Sequence, residues 1–287
     1  MSAVWAVVVT HNRKQMLREC LGALAAQTRP PDRVLVVDNA STDGTGAMLE
    51  REHQGVEVLA MATNEGGAGG FHEGMRRAHR DGAEWMWLLD DDTIAAPDAL
   101  AELLAAPARL DPLPRPLLLA SKVVWRDGRI HPQNYGGPER RRVERLIDGA
   151  ERGLMPLRFA TFVSLLVHAD AVERHGLPLK HFFIWSDDVE YTSRIVLGEE
   201  PAYLVPTSLA VHKTAAPATW RSATPQRFYY HVRNTVWIVR ARRGNRRVRL
   251  VFVWVLLTDV VVYLRRHPSA ASVAAIVRGV RDGLLRR

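Results

Sequence analysis

Three consecutive carboxylates, Asp90-Asp91-Asp92, stand directly after the apolar run Trp85-Met86-Trp87-Leu88-Leu89. Carboxylates delivered at the end of a buried strand can hold a hard divalent cation, Mg2+ or Mn2+, whose remaining positions go to the phosphates of a nucleotide. The competing reading is a solvated acidic turn ahead of the helix that Pro97 opens. A second acidic cluster, Asp187-Asp188 with Glu190, follows Phe182-Phe183-Ile184-Trp185. Aromatic faces beside paired acids suit a sugar platform next to a general base. The same residues also suit a helix start, with Ser186 or Asp187 as the cap, acids in the first turn, and Glu190 paired with Arg194 one turn on. His212 closes a later apolar segment, where an imidazole can complete a metal shell begun at the acidic triplet or serve the structure alone.

Side chains so far apart in sequence need a scaffold that brings them together, and the pattern is that of an α/β domain. Apolar, β-branched segments over 3–9, 34–37, 56–59 and 85–89 read as strands, alternating with helical periodicity over 14–27, 45–52 and 71–80. Parallel sheets bind ligands beyond the carboxyl ends of their strands, and Thr10, Asp38, Asn64 and the acidic triplet all fall there. The Gly-rich run over 64–70 reads as a loop. Counted from Gly67, its sixth position is His72, so the G-x-G-x-x-G fingerprint fails, which argues against a dinucleotide-dependent dehydrogenase. Glycines there permit either close approach to a ligand or tight packing of the next helix.

Composition sets the remaining bounds. The chain has 287 residues, 47% of them hydrophobic, and one cysteine, Cys20, so neither an internal disulfide nor a cysteine zinc cluster is available. The first residues lack the basic start and cleavage signature of a signal peptide, which points to the cytoplasm. From Arg240 onward twelve arginines face only Asp259 and Asp282, so the net charge of +8 belongs to the tail. Residues 1–239 read as the catalytic unit, and 240–287 as a basic, amphipathic helical appendage. Its apolar stretch over 250–264 is shorter than the roughly 18–20 residues of a bilayer span. It suits a helix lying on an anionic membrane surface, or one buried against the domain with its arginines solvated. No nucleic-acid motif accompanies the charge.

Taken together, these residues resemble the family-2 inverting glycosyltransferases of GT-A fold. They are most similar to bacterial galactofuranosyltransferases that act on a rhamnosyl-GlcNAc-diphospho-polyprenol acceptor. The likeness rests on Val7-Val8-Val9-Thr10-His11-Asn12-Arg13, Val36-Val37-Asp38-Asn39, Asn64-Glu65-Gly66-Gly67-Ala68-Gly69-Gly70-Phe71, the segment ending in the acidic triplet, 183–191 with Arg194, Val211-His212, and Arg227-Phe228-Tyr229-Tyr230-His231-Val232-Arg233-Asn234. It implies a mostly parallel nucleotide-binding sheet flanked by helices. It further implies Thr10, Arg13, Asp38, Asn39, Asn64, Gly70 and Asp91 around the nucleotide sugar, Asp90, Asp92 and His212 on Mn2+ or Mg2+, and Asp188 as base beside Asp187. Trp185 and Glu190 would meet the acceptor. The donor implied is UDP-galactofuranose, and the acceptor a polyprenyl-diphosphate-linked glycan or polysaccharide at the inner face of the cell membrane. A rhamnosyltransferase using dTDP-rhamnose is the alternative within the class. A sugar-nucleotide nucleotidyltransferase or a silent glycan-binding protein are the alternatives outside it.

Overall fold

The computed structural model describes residues 3–134, 136–139, 142–216, 219–241 and 246–285. Strand β1 (Val4–Thr10) is buried along its whole length, as its unbroken apolar run requires of a strand covered on both faces. It pairs in parallel with β2 (Arg33–Asp38) and β4 (Trp85–Asp90), and β2 pairs in parallel with β3 (Glu57–Ala60). The order β3-β2-β1-β4 reverses direction of winding between β1 and β4, which opens a crevice at their carboxyl ends. Register then sets the site: Thr10 lies beside Asp38, and Val9 beside Asp90.

The half of the sheet from β3 to β4 is wholly parallel, as expected, and beyond β4 the sheet is mixed. β9 (Leu165–His168) runs antiparallel to β4 and to β6 (Leu118–Val124). β10 (Ala202–His212) is parallel to β6 but antiparallel to β5 (Thr93–Ala95) and β8 (Met155–Phe159), while the two-residue β7 (Gly137–Pro138) edges β8. The short β5 is decisive for the site. It leaves the acidic triplet and immediately pairs with the end of β10, setting Thr93 opposite His212.

Helices cover both faces. On one, Leu17 and Cys20 of α1 (Lys14–Ala25), Met48 of α2 (Thr45–Glu52) and Leu100 of α4 (Ala99–Arg109) pack with Val8 and Trp87. On the other, Phe71 and Met75 of α3 (Gly66–Arg80) share a core with Val7 and Leu88. Helix α3 already begins at Gly66, so most of the run expected as a loop is helical. A Cβ on Gly70 would come within 2.5 Å of Val9 Cγ1, and one on Gly74 equally close to Val7 Cγ1. Their missing side chains let α3 lie close against β1.

Two helices flank the segments joining the sheet's second half, α5 (Val143–Glu151) and α6 (Ala169–His175), and α7 (Asp187–Leu197) follows. Tyr135, Arg140 and Arg141, in the polar insertion over 126–153, lie outside the described residues, as do Arg242 and Arg243 of the basic tail. The chain closes with α8 (Pro225–Ala241), α9 (Arg246–Arg266) and α10 (Ala270–Leu285), and α8 runs through residues 239 and 240. Helix α10 lies against α8 at Gly279 and Gly283, where an added Cβ would sit 2.9 Å from Val232 Cβ and 2.7 Å from Val236 Cβ. Tyr263 of α9 stacks on Phe228 of α8 with ring centroids 3.6 Å apart. Helix α9 is not amphipathic as expected. Apolar residues occur all round it, and Trp254 and Leu257 are 66% and 61% exposed, with arginines gathered at both ends. No helix among the described residues is long and apolar enough to cross a membrane.

Candidate functional site

The acidic triplet divides by direction. Asp91 turns beneath β1, where Thr10 Oγ1 donates to its Oδ2 at 2.8 Å and Arg13 Nη1 donates to its Oδ1 at 3.2 Å. The same guanidinium nitrogen donates to Asp92 Oδ2 at 2.7 Å. Asp92 Oδ1 faces His212 Nε2 at 3.0 Å, and Asp90 Oδ2 lies 4.0 Å from that nitrogen. Ligand atoms of Asp90, Asp92 and His212 all fall within 4.8 Å of one another.

Two observations show that this trio suits a cation. Asp92 Oδ1 is buried without a hydrogen-bond partner, so its contact with His212 lacks hydrogen-bond alignment; a buried oxygen left so costs roughly 1–3 kcal/mol unless something else binds it. Asn134 also fixes the imidazole. Its Nδ2 donates to Thr161 Oγ1 at 3.0 Å, leaving Oδ1 to accept His212 Nδ1–H at 2.7 Å, so Nε2 presents its lone pair to the carboxylates. Two carboxylates and one imidazole fit a hard or borderline divalent ion.

The charges gathered here shift one another's titration. Burial, reinforced by the charge of Asp92, pushes Asp90 up to about 7. Its side chain keeps 39% of its surface open, but that opening lies within protein walls. Burial likewise raises Asp91 to about 6 against the opposing pull of Arg13. For Asp92 the burial effect is overcome by His212 and Arg13, which hold it below the usual carboxylate range. Burial alone would lower His212, but the proximity and charge of Asp92 raise it.

The second cluster sits at the start of α7. Ser186 precedes that helix with φ +65° and makes no side-chain cap, so its capping role is not observed. Phe183 and Trp185 also have positive φ, +66° and +67°. Each such residue stores on the order of 1–3 kcal/mol, and surroundings must hold it in place. Here they do: Phe183 O accepts Ala68 N–H at 3.1 Å, and Asn234 Nδ2, fully buried on α8, lies 2.7–3.1 Å from the carbonyls of Phe182, Ile184 and Trp185. Arg233 Nη2 adds a 2.8 Å bond to Phe182 O.

The loop so held points Asp187 and Asp188 into a cavity of about 650 Å3 that Asp90, His212, Trp185 and Trp220 also line. Burial pushes Asp188 up to about 6 even though its Oδ1 accepts Val189 N–H at 2.7 Å. Burial and then the charge of Asp188 raise Asp187 well above its ordinary value. Both carboxyls are therefore better proton acceptors than a solvated aspartate. Glu190 turns elsewhere. It is 2% exposed, takes Arg194 Nε at 3.1 Å, and is not among the residues lining the cavity.

The remaining expected residues gather at the carboxyl edge of β1 and β2. Asp38 Oδ1 accepts Ser41 N–H at 2.9 Å. Asn39 Nδ2 donates to Gly66 O at 3.0 Å while its own Oδ1 is buried without a partner. Asn64 Oδ1 accepts Gly66 N–H at 2.8 Å, which fixes the start of α3. Gly70 faces Val9 and Asn39 within the packing of that helix. Sequence reasoning gave no role to Asn134, and Asn234 entered only as the end of a family-like run. Neither belongs to a short motif.

A parallel half ending in an acidic triplet, joined to a mixed half that returns an acid pair and a histidine to one cavity, is a GT-A glycosyltransferase architecture. The chain belongs to glycosyl transferase family 2, whose model matches residues 5–112. It is 35% identical over 204 residues to galactofuranosyltransferase GlfT1 of Mycobacterium tuberculosis, an alignment covering 69% of this chain and 66% of that protein, just under two thirds of the relative's length. In fold it is similar to S. aureus TarS solved with UDP-GlcNAc, at a TM-score of 0.68 and 16% identity, covering 99% of this chain and 81% of TarS. It is also similar to the mannosyltransferase PcManGT from Pyrobaculum calidifontis solved with GDP-Man and Mn2+, at 0.60 and 19%, with the same two coverages.

Proposed function

We propose that this enzyme is a metal-dependent, inverting galactofuranosyltransferase that uses UDP-galactofuranose and acts on a lipid-linked or cell-surface glycan. The observation carrying this reading is the single cavity lined both by Asp90 and His212 and by Asp187 and Asp188. Asp90, Asp92 and His212 would hold Mn2+ or Mg2+, with Asn134 keeping the imidazole in its ligating tautomer. When bound, the cation stabilises negative charge on the departing diphosphate. Asp38, Asn39, Asn64 and Thr10 serve the nucleotide, Arg13 orients Asp91 and Asp92, and Gly70 brings α3 close to that edge.

Asp188 removes a proton from the acceptor hydroxyl as that oxygen attacks the anomeric carbon from the face opposite the diphosphate, so the configuration inverts. Asp187, raised by burial and by the charge of Asp188, stands beside it in the same cavity. Trp185 offers its face to the acceptor sugar. Glu190 acts through its ion pair with Arg194, which braces α7. The catalytic unit over 1–239 is completed by the helical region over 240–287. The exposed apolar face of α9 and its flanking arginines would hold the enzyme on the anionic inner face of the cell membrane, where a polyprenyl-linked acceptor is found.

The test is a panel of sugar nucleotides, UDP-galactofuranose and dTDP-rhamnose included, assayed for nucleotide release with and without a rhamnosyl-GlcNAc acceptor. Acceptor-dependent release of UDP from UDP-galactofuranose is expected. Release from dTDP-rhamnose instead would transfer the reading to a rhamnosyltransferase.

A further inference from the structure

One wall of the cavity carries charge opposite to that of the acid pair, and nothing in the proposed chemistry uses it. Arg221, on the single turn Trp220–Ser222, and Arg227, in the first turn of α8, both line the cavity and are exposed. Neither has an acidic partner among the described residues. The guanidinium of Arg221 stands 5.2 Å from the centre of the Trp220 ring. The start of α8 carries no acid in its first turn either, so the positive end of a seventeen-residue helix adds to the two guanidiniums.

The wall is also firmly built. Trp220 stacks on His231 with an interplanar angle of 6°, and His231 is fixed by a 2.9 Å bond between its Nε2 and Asp259 Oδ2 on α9. Trp185, next to the acid pair, meets the same imidazole edge-on at 6.3 Å. An aromatic floor thus runs from the acid pair to the two arginines.

We propose that Arg221 and Arg227 form a subsite for a diphosphate on the acceptor, next to the aromatic floor that carries the acceptor's sugars. Guanidinium forks match phosphoryl oxygens in pairs, and unpaired arginines over an indole keep their donors free for such an anion. The site rests on the glycosyltransferase reading and adds to it what the enzyme recognises beyond the hydroxyl it glycosylates. It requires an acceptor with negative charge a short glycan away from the reacting hydroxyl, which a diphospho-lipid carrier supplies and a neutral polysaccharide does not.

Calorimetry without donor tests this directly, using rhamnosyl-GlcNAc carried on farnesyl diphosphate and the same disaccharide as a neutral farnesyl glycoside. The wild-type protein should bind the diphosphate form tighter by a factor on the order of ten or more. Arg221→Gln with Arg227→Gln should erase that difference, while affinity for the neutral form and for UDP in Mn2+ stays within about twofold. Equal affinity of wild type for the two acceptors would overturn the subsite, as would a preference that survives in the variant. A matching loss of UDP affinity would assign the arginines to the donor and overturn it too. Because no turnover is read, failure of the sugar-nucleotide panel would sink the proposed reaction without touching this result.

Discussion

Asp188 and Asp187 are neighbours in one helical turn, yet substitution should separate them. Asn at 188 keeps an oxygen for Val189 N–H but cannot accept a proton, so Asp188→Asn should lower turnover by roughly 10²-fold or more with donor affinity unchanged; Asp187→Asn should cost less. Near-normal rates in both would end the general-base assignment. Because Asp188 titrates at about 6 rather than 3.8 and works ionised, kcat/KM should fall as pH drops through about 6. Its stability effect has the opposite sense. A carboxyl with a raised folded pKa binds more protons folded than unfolded, so stability is lost as pH rises through that window. Asp188→Asn should therefore melt above wild type at pH 8 and match it below about pH 4. A second residue-scale prediction concerns Asn134. Removing the partner of a ligating histidine lowers metal affinity by about 10–100-fold, so Asn134→Leu should weaken Mn2+ binding by that factor in calorimetry. Wild-type affinity in that variant would show that His212 needs no such partner.

Among the elements, α8 has the widest reach, since Asn234 holds three carbonyls of the strained turn before α7. Asn234→Leu removes these bonds at full burial and should cost about 1–3 kcal/mol of stability. It should also lower turnover at saturating donor while UDP affinity stays put, because the donor edge is built by other strands. A variant that merely melts earlier, with kcat intact, would make Asn234 a structural clamp only. The strands up to β4 and the helix over 45–52 were legible from apolar runs and their spacing, because local pattern decides them. The run over 66–70 is helix where a loop was expected, because the packing of Gly66 on Phe183 and of Gly70 on Val9 is a tertiary fact. The acid clusters and His212 stood out as unusual residues at element ends. Asn134 and Asn234 did not, since ordinary asparagines gain meaning only when strands and helices 78 and about 50 residues away arrive beside them.

Across the whole molecule, the acid-lined cavity and the exposed face of α9 are joined through α8, which packs against α9 and carries Arg227 and His231 of the cavity wall. Replacing Leu250, Trp254 and Leu257 with Ser should reduce sedimentation with anionic liposomes and leave soluble-acceptor turnover alone, and wild-type binding should weaken with salt as the arginines are screened. Unaltered sedimentation would send α9 to another partner. This is a sounder experiment than removing residues 240–287, which would take away Tyr263 and Asp282, both bonded into the site's C-terminal wall. Cys20 gives that question an unusually clean instrument. It is the chain's sole thiol, wholly buried between α1 and the sheet, and burial pushes its pKa far up, so neither access nor thiolate is available to a maleimide. The native protein is therefore silent to thiol dyes without any cysteine having to be removed. A single Leu257→Cys would take one fluorophore at one known place, and its emission would report directly how deep α9 sits in a bilayer.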